Sequence, residues 1–309
     1  MKKIVIFVLC LIMLSALCGC DVLKSVVGID IEPAPTAVPT STPTAAPTTA
    51  PFCGDGELDV YVIDVGQGDS ILLISPSGKT MLIDAGDGGA FDAISSQLTK
   101  LNITSLDVVV VTHPHADHIG SMAKVINSYE IGSFYMTDFV ATTKTYERML
   151  TELEDNNVSV YQATSDTLIA WDEDVTVQVL SPIVGIEYDD SNTSSIVMKV
   201  SYGNTSIMLT GDAEKETESG IIALWGEDAL KADVLKLGHH GSSTSSSLEF
   251  VVAVDPDIAL CSLGVDNDYG HPHRETLALM EELNIALYRT DLLGTIKIVL
   301  DGTDIQVIK

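Results

Sequence analysis

The sequence predicts a mixed α/β fold in which two sheets pack together with helices outside them. Three observations predict it. Short apolar runs rich in β-branched residues alternate with segments of helical spacing. The runs fall into two groups, and helices follow each group. About 250 of the 309 residues lie in this alternating part, ample for one large core.

The chain opens differently. Lys2 and Lys3 precede an apolar run at 4–14, and Leu17-Cys18-Gly19-Cys20 resembles a lipobox with Gly19 before the acylated cysteine. The run is short for a membrane-spanning helix. Residues 1–19 therefore read as a bacterial lipoprotein signal peptide. Cys20 would carry the lipid, and several acyl chains give stable anchoring at the outer face of the cytoplasmic membrane. Residues 33–51 contain Pro, Thr, Ala and Ser without charge, which favours extended, polyproline-like chain. Residues 20–56 thus form a stalk, and 57–309 the folded domain. Cys261 lies in an apolar run and reads as a buried free thiol. A Cys53–Cys261 disulfide is chemically permitted outside the cell.

Within the domain, strands are expected at 58–65, 71–75 and 80–84, separated by Gly-rich turns. A helix follows at 91–101, then a strand at 106–111 and a helix at 119–128. Next come a strand at 131–136, a charged amphipathic helix at 143–156, and strands at 158–161, 167–171 and 175–181. The second group has strands at 195–202 and 206–210, a helix at 213–225, and strands at 233–237, 258–263, 287–290 and 295–300. Helices at 247–254 and 274–283 lie between them.

The strand at 106–111 runs straight into Thr112-His113-Pro114-His115-Ala116-Asp117-His118. His113 and His115 are two apart in extended backbone and point the same way. Asp117 and His118 fall where helical spacing begins, so they face a second point nearby. Closely spaced neutral imidazoles and a carboxylate suit a borderline divalent metal such as Zn²⁺. The chain has seven histidines, and the other four are His239, His240, His271 and His273. A merely solvated loop would not leave every histidine in three tight groups. Asp212 closes the strand at 206–210, where it can ligate a metal or cap the next helix. Adjacent side chains diverge, so His239 and His240 do not bind one metal in the same way. One ligates; the other contacts substrate or the second metal. The sequence leaves that choice open.

The H-x-H-x-D-H run resembles the signature of the metallo-β-lactamase superfamily. Further segments narrow the likeness: Asp64-Val65-Gly66-Gln67-Gly68-Asp69-Ser70, Leu82-Ile83-Asp84-Ala85-Gly86, Leu209-Thr210-Gly211-Asp212-Ala213, Leu235-Lys236-Leu237-Gly238-His239-His240-Gly241-Ser242 and Tyr269-Gly270-His271-Pro272-His273. Together they resemble the extracytoplasmic domain of ComEC-type competence proteins in a stand-alone form. The resemblance implies a four-layer αββα sandwich. It implies two divalent metals, Zn²⁺ first and Mn²⁺ as the alternative, sharing a water that becomes hydroxide near neutral pH. One metal would take His113 and His115. The other would take Asp117, His118, Asp212 and either His239 or His240, with Asp212 bridging. Asp84 would accept a hydrogen bond from a ligating histidine. Many members carry another histidine between Ser181 and Ser201, but here 190–195 reads Asp-Ser-Asn-Thr-Ser-Ser. Asn192 and Ser195 fall in that region as substrate contacts, or Asn192 as a weak oxygen ligand. Asp117, His239 and His271 form the expected catalytic set, with His271 donating a proton or binding phosphate.

The formal charge is −28. So acidic a surface repels polyanions at long range. Tight nonspecific DNA binding needs a basic groove, and Lys and Arg are dispersed. A small phosphodiester at a metal site remains allowed, and DNA stays a possible partner. The expected function is an exported phosphodiesterase or nuclease-type hydrolase. Lactone, thioester or β-lactam hydrolysis is the second reading. A non-catalytic accessory module of DNA uptake or the envelope is the third, and the complete ligand set weighs against it.

Overall fold

The computed structural model describes residues 31–33 and 56–308. The expected signal peptide, Cys20, Cys53 and the Pro/Thr-rich run beyond residue 33 lie outside these residues. In chain order the strands are β1 (Ile31–Pro33), β2 (Leu58–Val62), β3 (Ile71–Ile74), β4 (Thr80–Ile83), β5 (Ser105–Val110), β6 (Glu130–Met136), β7 (Val160–Gln162), β8 (Val175–Ser181), β9 (Val197–Tyr202), β10 (Thr205–Leu209), β11 (Val234–Lys236), β12 (Ile258–Cys261), β13 (Ala286–Arg289), β14 (Ile296–Leu300) and β15 (Ile305–Ile308). The helices are α1 (Phe91–Lys100), α2 (Ala116–Ile119), α3 (Met122–Ser128), α4 (Lys144–Asp155), α5 (Lys215–Trp225), α6 (Glu227–Leu230), α7 (Leu248–Val254), α8 (Arg274–Glu282) and α9 (Thr290–Leu293).

The strands form a nine-stranded sheet, β1-β7-β6-β5-β4-β3-β2-β14-β15, and a six-stranded sheet, β13-β12-β11-β10-β9-β8. Strand periodicity explains how they stack. Along β2, Leu58, Val60 and Val62 join an apolar layer with Val177, Val179, Ile207 and Leu209 of the other sheet. Tyr61 faces the opposite side, with Leu72 and Leu82, onto Ile94, Leu98, Val125 and Met149 of the helices. In the second sheet Met208 and Leu235 turn outward onto Ile221, Phe250 and Val254. Three apolar layers therefore separate helix, sheet, sheet and helix, the expected αββα sandwich. Strands buried on both faces read as continuous apolar runs, which is why they were visible in the sequence.

The segment at 167–171 departs from expectation. It makes only an isolated bridge, Leu168 to Gln178. Backbone bonds flank that bridge, from Ile169 N to Val177 O at 3.0 Å and from Val179 N to Thr167 O at 3.1 Å, and the Gln178 amide adds bonds to the carbonyls of Ser165 and Thr167. The helix expected at 119–128 is broken into α2 and α3. There Gly120 N donates to Gly86 O at 2.8 Å and Ser121 Oγ to Asp87 O at 2.6 Å, so this turn serves a tertiary contact. Thr290 starts α9 rather than ending a strand. β15, α6 and β1 were not anticipated; β1 pairs in parallel with β7 from within the stretch read as stalk. Cys261 is a buried free thiol, its pKa pushed up to about 12 by burial. No helix among the described residues is long and apolar enough to cross a membrane.

β4 and β5 are parallel, as are β10, β11, β12 and β13. Asp84, the 113–118 loop, Asp212, His239-His240 and Ser262 all follow the carboxyl ends of these strands, where open α/β sheets bind ligands.

Candidate metal centre

Asp212 sits at the middle of the site, 1 % exposed. The residue at the N-cap position of α5 is Glu214, so Asp212 does not cap that helix. Its Oδ1 lies 3.3 Å from His118 Nε2 and 3.6 Å from His240 Nε2. His240 Nε2 is 3.4 Å from Asp117 Oδ2. Donor atoms around a tetrahedral Zn²⁺ lie about 3.4 Å apart, given bonds near 2.1 Å. These four side chains therefore have the spacing of a cation cage, and their donor atoms lie within 4.8 Å of one another. Three of those atoms, His118 Nε2, His240 Nε2 and Asp212 Oδ1, are buried and make no hydrogen bond. Buried polar atoms without partners are costly, and a bound cation would satisfy all three.

The other carboxylate oxygen faces elsewhere. Asp212 Oδ2 lies 3.8 Å from His113 Nε2 and 3.7 Å from His239 Nε2. His113 Nε2 is 3.1 Å from His115 Nδ1. Asp212 thus stands between two groups of donors, as a bridging carboxylate would.

The second nitrogen of each imidazole is held from behind. His118 Nδ1 donates to Asp84 Oδ2 at 2.7 Å. Thr112 Oγ1 donates to the same oxygen at 2.6 Å and accepts from His113 Nδ1 at 3.2 Å. His240 Nδ1 donates to Ser262 O at 2.9 Å. His115 Nε2 meets Ser191 Oγ at 2.6 Å, and His239 Nδ1 meets Thr244 Oγ1 at 3.1 Å. At His118, His113 and His240 these bonds select the tautomer with Nδ1–H, leaving Nε2 to face Asp212. Asp84, fully buried, orients two histidines at once. A nearby trio, Asp69, Asp84 and His118, also has metal-like spacing. The Lys236 ammonium against Asp69 and the bonds already filling Asp84 make it a poor cation site.

A family model described as Metallo-beta-lactamase superfamily matches residues 63–265. The chain belongs to that superfamily. It is 30% identical over 262 residues to ComE operon protein 3 of Bacillus subtilis (strain 168), covering 79% of this chain and 33% of that one. Endoribonuclease ysh-1 of Neurospora crassa is 24% identical over 188 residues, which is 54% of this chain and 21% of that protein. Among solved structures, the metallo-beta-lactamase fold protein YhfI from Bacillus subtilis has a TM-score of 0.51 at 14% identity, covering 75% of this chain and 96% of that one. The chain spans about a third of the length of the ComE operon protein and of a second curated relative.

Set against its superfamily motifs, the histidine pair separates cleanly. His239 (φ 51°) and His240 (φ 54°) both take left-handed backbone, a conformation costly for residues with Cβ and concentrated at functional sites. The turn sends His240 inward, 1 % exposed, to Asp117 and Asp212. His239 stays 25 % exposed, beside Asp212 Oδ2 and Glu214. No histidine lies between Ser181 and Ser201; Ser191 meets His115 there instead. Ser195 Oγ accepts from Asp212 N at 3.2 Å. Asn192 is buried, with Oδ1 unpartnered. His271 lines an open cleft of about 340 Å³ with His115, Asp117, Asp212, His239, His240, Gln67 and Tyr269. His273 braces that wall, accepting from Ser243 N at 2.9 Å.

In the metal-free protein, burial opposes charge on His118 and His240. The carboxylates of Asp212 and Asp84 outweigh it at His118, which is held well above its ordinary value. Asp212 and Asp69 raise His240 to about 9. Burial also disfavours charge on Asp212 and Asp117, but His118 and His240 hold both carboxyls well below the usual range. Burial and the neighbouring His240, His239 and His273 push His271 down to about 4. Thr112, Ser191 and Ser262 had no assigned role in the sequence reading. Only the place of Ser191 within the 190–195 segment offered a signal.

Proposed function

We propose that this chain is an exported, lipid-anchored hydrolase that uses two divalent metals, Zn²⁺ or Mn²⁺, to cleave phosphodiesters. The observation that supports the reading is the pair of unsatisfied imidazole nitrogens, His118 Nε2 and His240 Nε2, beside the equally unsatisfied Asp212 Oδ1, with His113 and His239 at the other oxygen of Asp212. Asp117, His118, His240 and Asp212 would hold one metal; His113 and His115, together with Asp212, would hold the second. A metal pair there supplies Lewis acidity, activating water and neutralising phosphoryl charge. Asp117, partly open to the cleft, orients the attacking water. His271 is neutral at pH 7 and hydrogen-bonds a phosphate oxygen. His239 contacts substrate from the partly exposed side. The Tyr269 ring, 65 % exposed, lies along His271 at the mouth and offers a flat apolar face to the group beyond the phosphate.

The likeness to a protein named as an endoribonuclease supports a phosphodiester over a β-lactam. The lipid on Cys20 holds the domain at the outer face of the cytoplasmic membrane, the part of the expected 20–56 stalk ahead of β1 serving as the spacer, since β1 pairs with β7. The test is hydrolysis of bis-p-nitrophenyl phosphate by the full-length protein loaded with Zn²⁺ or Mn²⁺, beside an Asp212→Ala variant and a nitrocefin assay. Metal-dependent phosphodiester turnover, lost in the variant, is the expected result. Turnover of nitrocefin alone would favour the lactone, thioester or β-lactam class. Metal binding without turnover of either would favour an accessory module.

A further inference from the structure

We propose that Asp69 and Lys236 form a buried ion pair that positions His240 and ties it to Asp117, an inference that rests on the metal centre proposed above. Both side chains are removed from solvent, Lys236 completely and Asp69 to 2 %. Lys236 Nζ lies 2.8 Å from Asp69 Oδ2 and donates to Leu237 O at 2.9 Å. The ammonium therefore fixes the carboxylate from one side. On the other side Asp69 Oδ1 accepts from Ser262 Oγ and sits 3.4 Å from His240 Nδ1. Ser262 in turn presents its carbonyl to the same Nδ1 at 2.9 Å. The His240 ring is thus locked in plane by a serine whose own hydroxyl is pinned by Asp69.

The backbone of Asp69 reaches the opposite ligand loop. Asp69 N donates to Asp117 O at 3.1 Å, and Asp69 O accepts from Gly86 N at 2.8 Å. One residue therefore joins the Asp117 loop of the first sheet to the His240 turn of the second. His240 Nε2 and Asp117 Oδ2, held 3.4 Å apart, are the atoms whose spacing that joint sets. A buried ion pair adds little to stability compared with well-packed apolar side chains of the same volume. Placement of these two ligands gives the pair a role that packing would not.

The test uses an Asp69→Asn/Lys236→Met double variant, which removes both charges together, and Ser262→Ala, which keeps the pair and cuts its tie to the serine. Two readouts are taken on the full-length protein. One is the His240 tautomer in the metal-free state, from ¹⁵N NMR at a pH where the imidazole is neutral. The other is Zn²⁺ affinity by chelator competition. The wild type is expected to hold the Nδ1–H tautomer. The double variant is expected to show mixed tautomers and to bind Zn²⁺ about 10- to 100-fold more weakly at the Asp117/His118/Asp212/His240 cage, with thermal unfolding close to wild type. Wild-type tautomer and affinity in the double variant would overturn the proposal. Should that variant not fold, Ser262→Ala decides it by the same two readings. A wild-type Nδ1–H tautomer lost in the variants, with no Zn²⁺ bound even by the wild type, would support positioning while sinking the metal reading.

Discussion

His239 and His240 are neighbours in sequence, yet only one sits among the cage residues. The difference lies in two left-handed residues that swing the imidazoles apart, with ring centroids 6.3 Å from each other. His240→Ala should therefore abolish the tighter metal, while His239→Ala should leave it bound. Metal content after dialysis, by elemental analysis, distinguishes the two; equal losses would refute the assignment. The protonation of the metal-free cage gives a second expectation. His240, raised to about 9, carries a proton at pH 7, the carboxylates of Asp212 and Asp84 favour the protonated form of His118 as well, and ligation needs both neutral. Zn²⁺ affinity should rise with pH through about 9, where His240 loses its proton, the raised His118 adding to the rise, and binding at pH 7 should release protons. Calorimetry in two buffers of different ionisation enthalpy counts them, and a count near zero contradicts the sign. The H-x-H-x-D-H residues were legible because they lie within six positions. Ser191 reaches His115 from 76 residues away, and Asp69 reaches Ser262 across 193, so periodicity could not pair them. Asp69 and Lys236 stood in two of the motif segments, but nothing in the sequence pairs them.

At the scale of elements, the loop after β2 places Asp117. Gly68 takes φ +128°, and a Cβ there would stand 2.2 Å from Asp117 O. Gly68→Ala should shift the Asp117 loop and lower both metal affinity and turnover, measured beside circular dichroism to confirm a retained fold. α7 depends on a distant carboxylate. Ser246 N donates to Glu218 Oε1 at 2.5 Å and Ser247 N to Oε2 at 2.8 Å. Glu218→Gln puts an NH₂ against one of those N–H groups and should cost about 1–3 kcal/mol in urea unfolding; an unchanged midpoint would refute the capping role. Most strands were legible from their double-faced apolar runs. The stretch at 167–171 was not, because a few alternating residues cannot reveal that pairing with β8 stops at a single bridge, Leu168 to Gln178. The break between α2 and α3 depends on Gly86 and Asp87, which helical spacing cannot see.

The whole molecule is strongly acidic, and this bears on substrate size. A charge of −28 repels an oligonucleotide far more than a singly charged diester, and salt screens that repulsion within about 8–10 Å at physiological strength. The kcat/KM for a DNA oligonucleotide should rise between low and moderate salt, while that for bis-p-nitrophenyl phosphate changes little. A fall with salt for DNA would point to a basic path that the described residues do not display. Anomalous diffraction from crystals grown with Zn²⁺ tests the central claim most directly. Two peaks are expected on either side of the Asp212 carboxylate, the stronger among Asp117, His118 and His240, the weaker beside His113 and His115, where fewer donors converge. A single peak, or metal bound away from Asp212, would contradict the two-metal account.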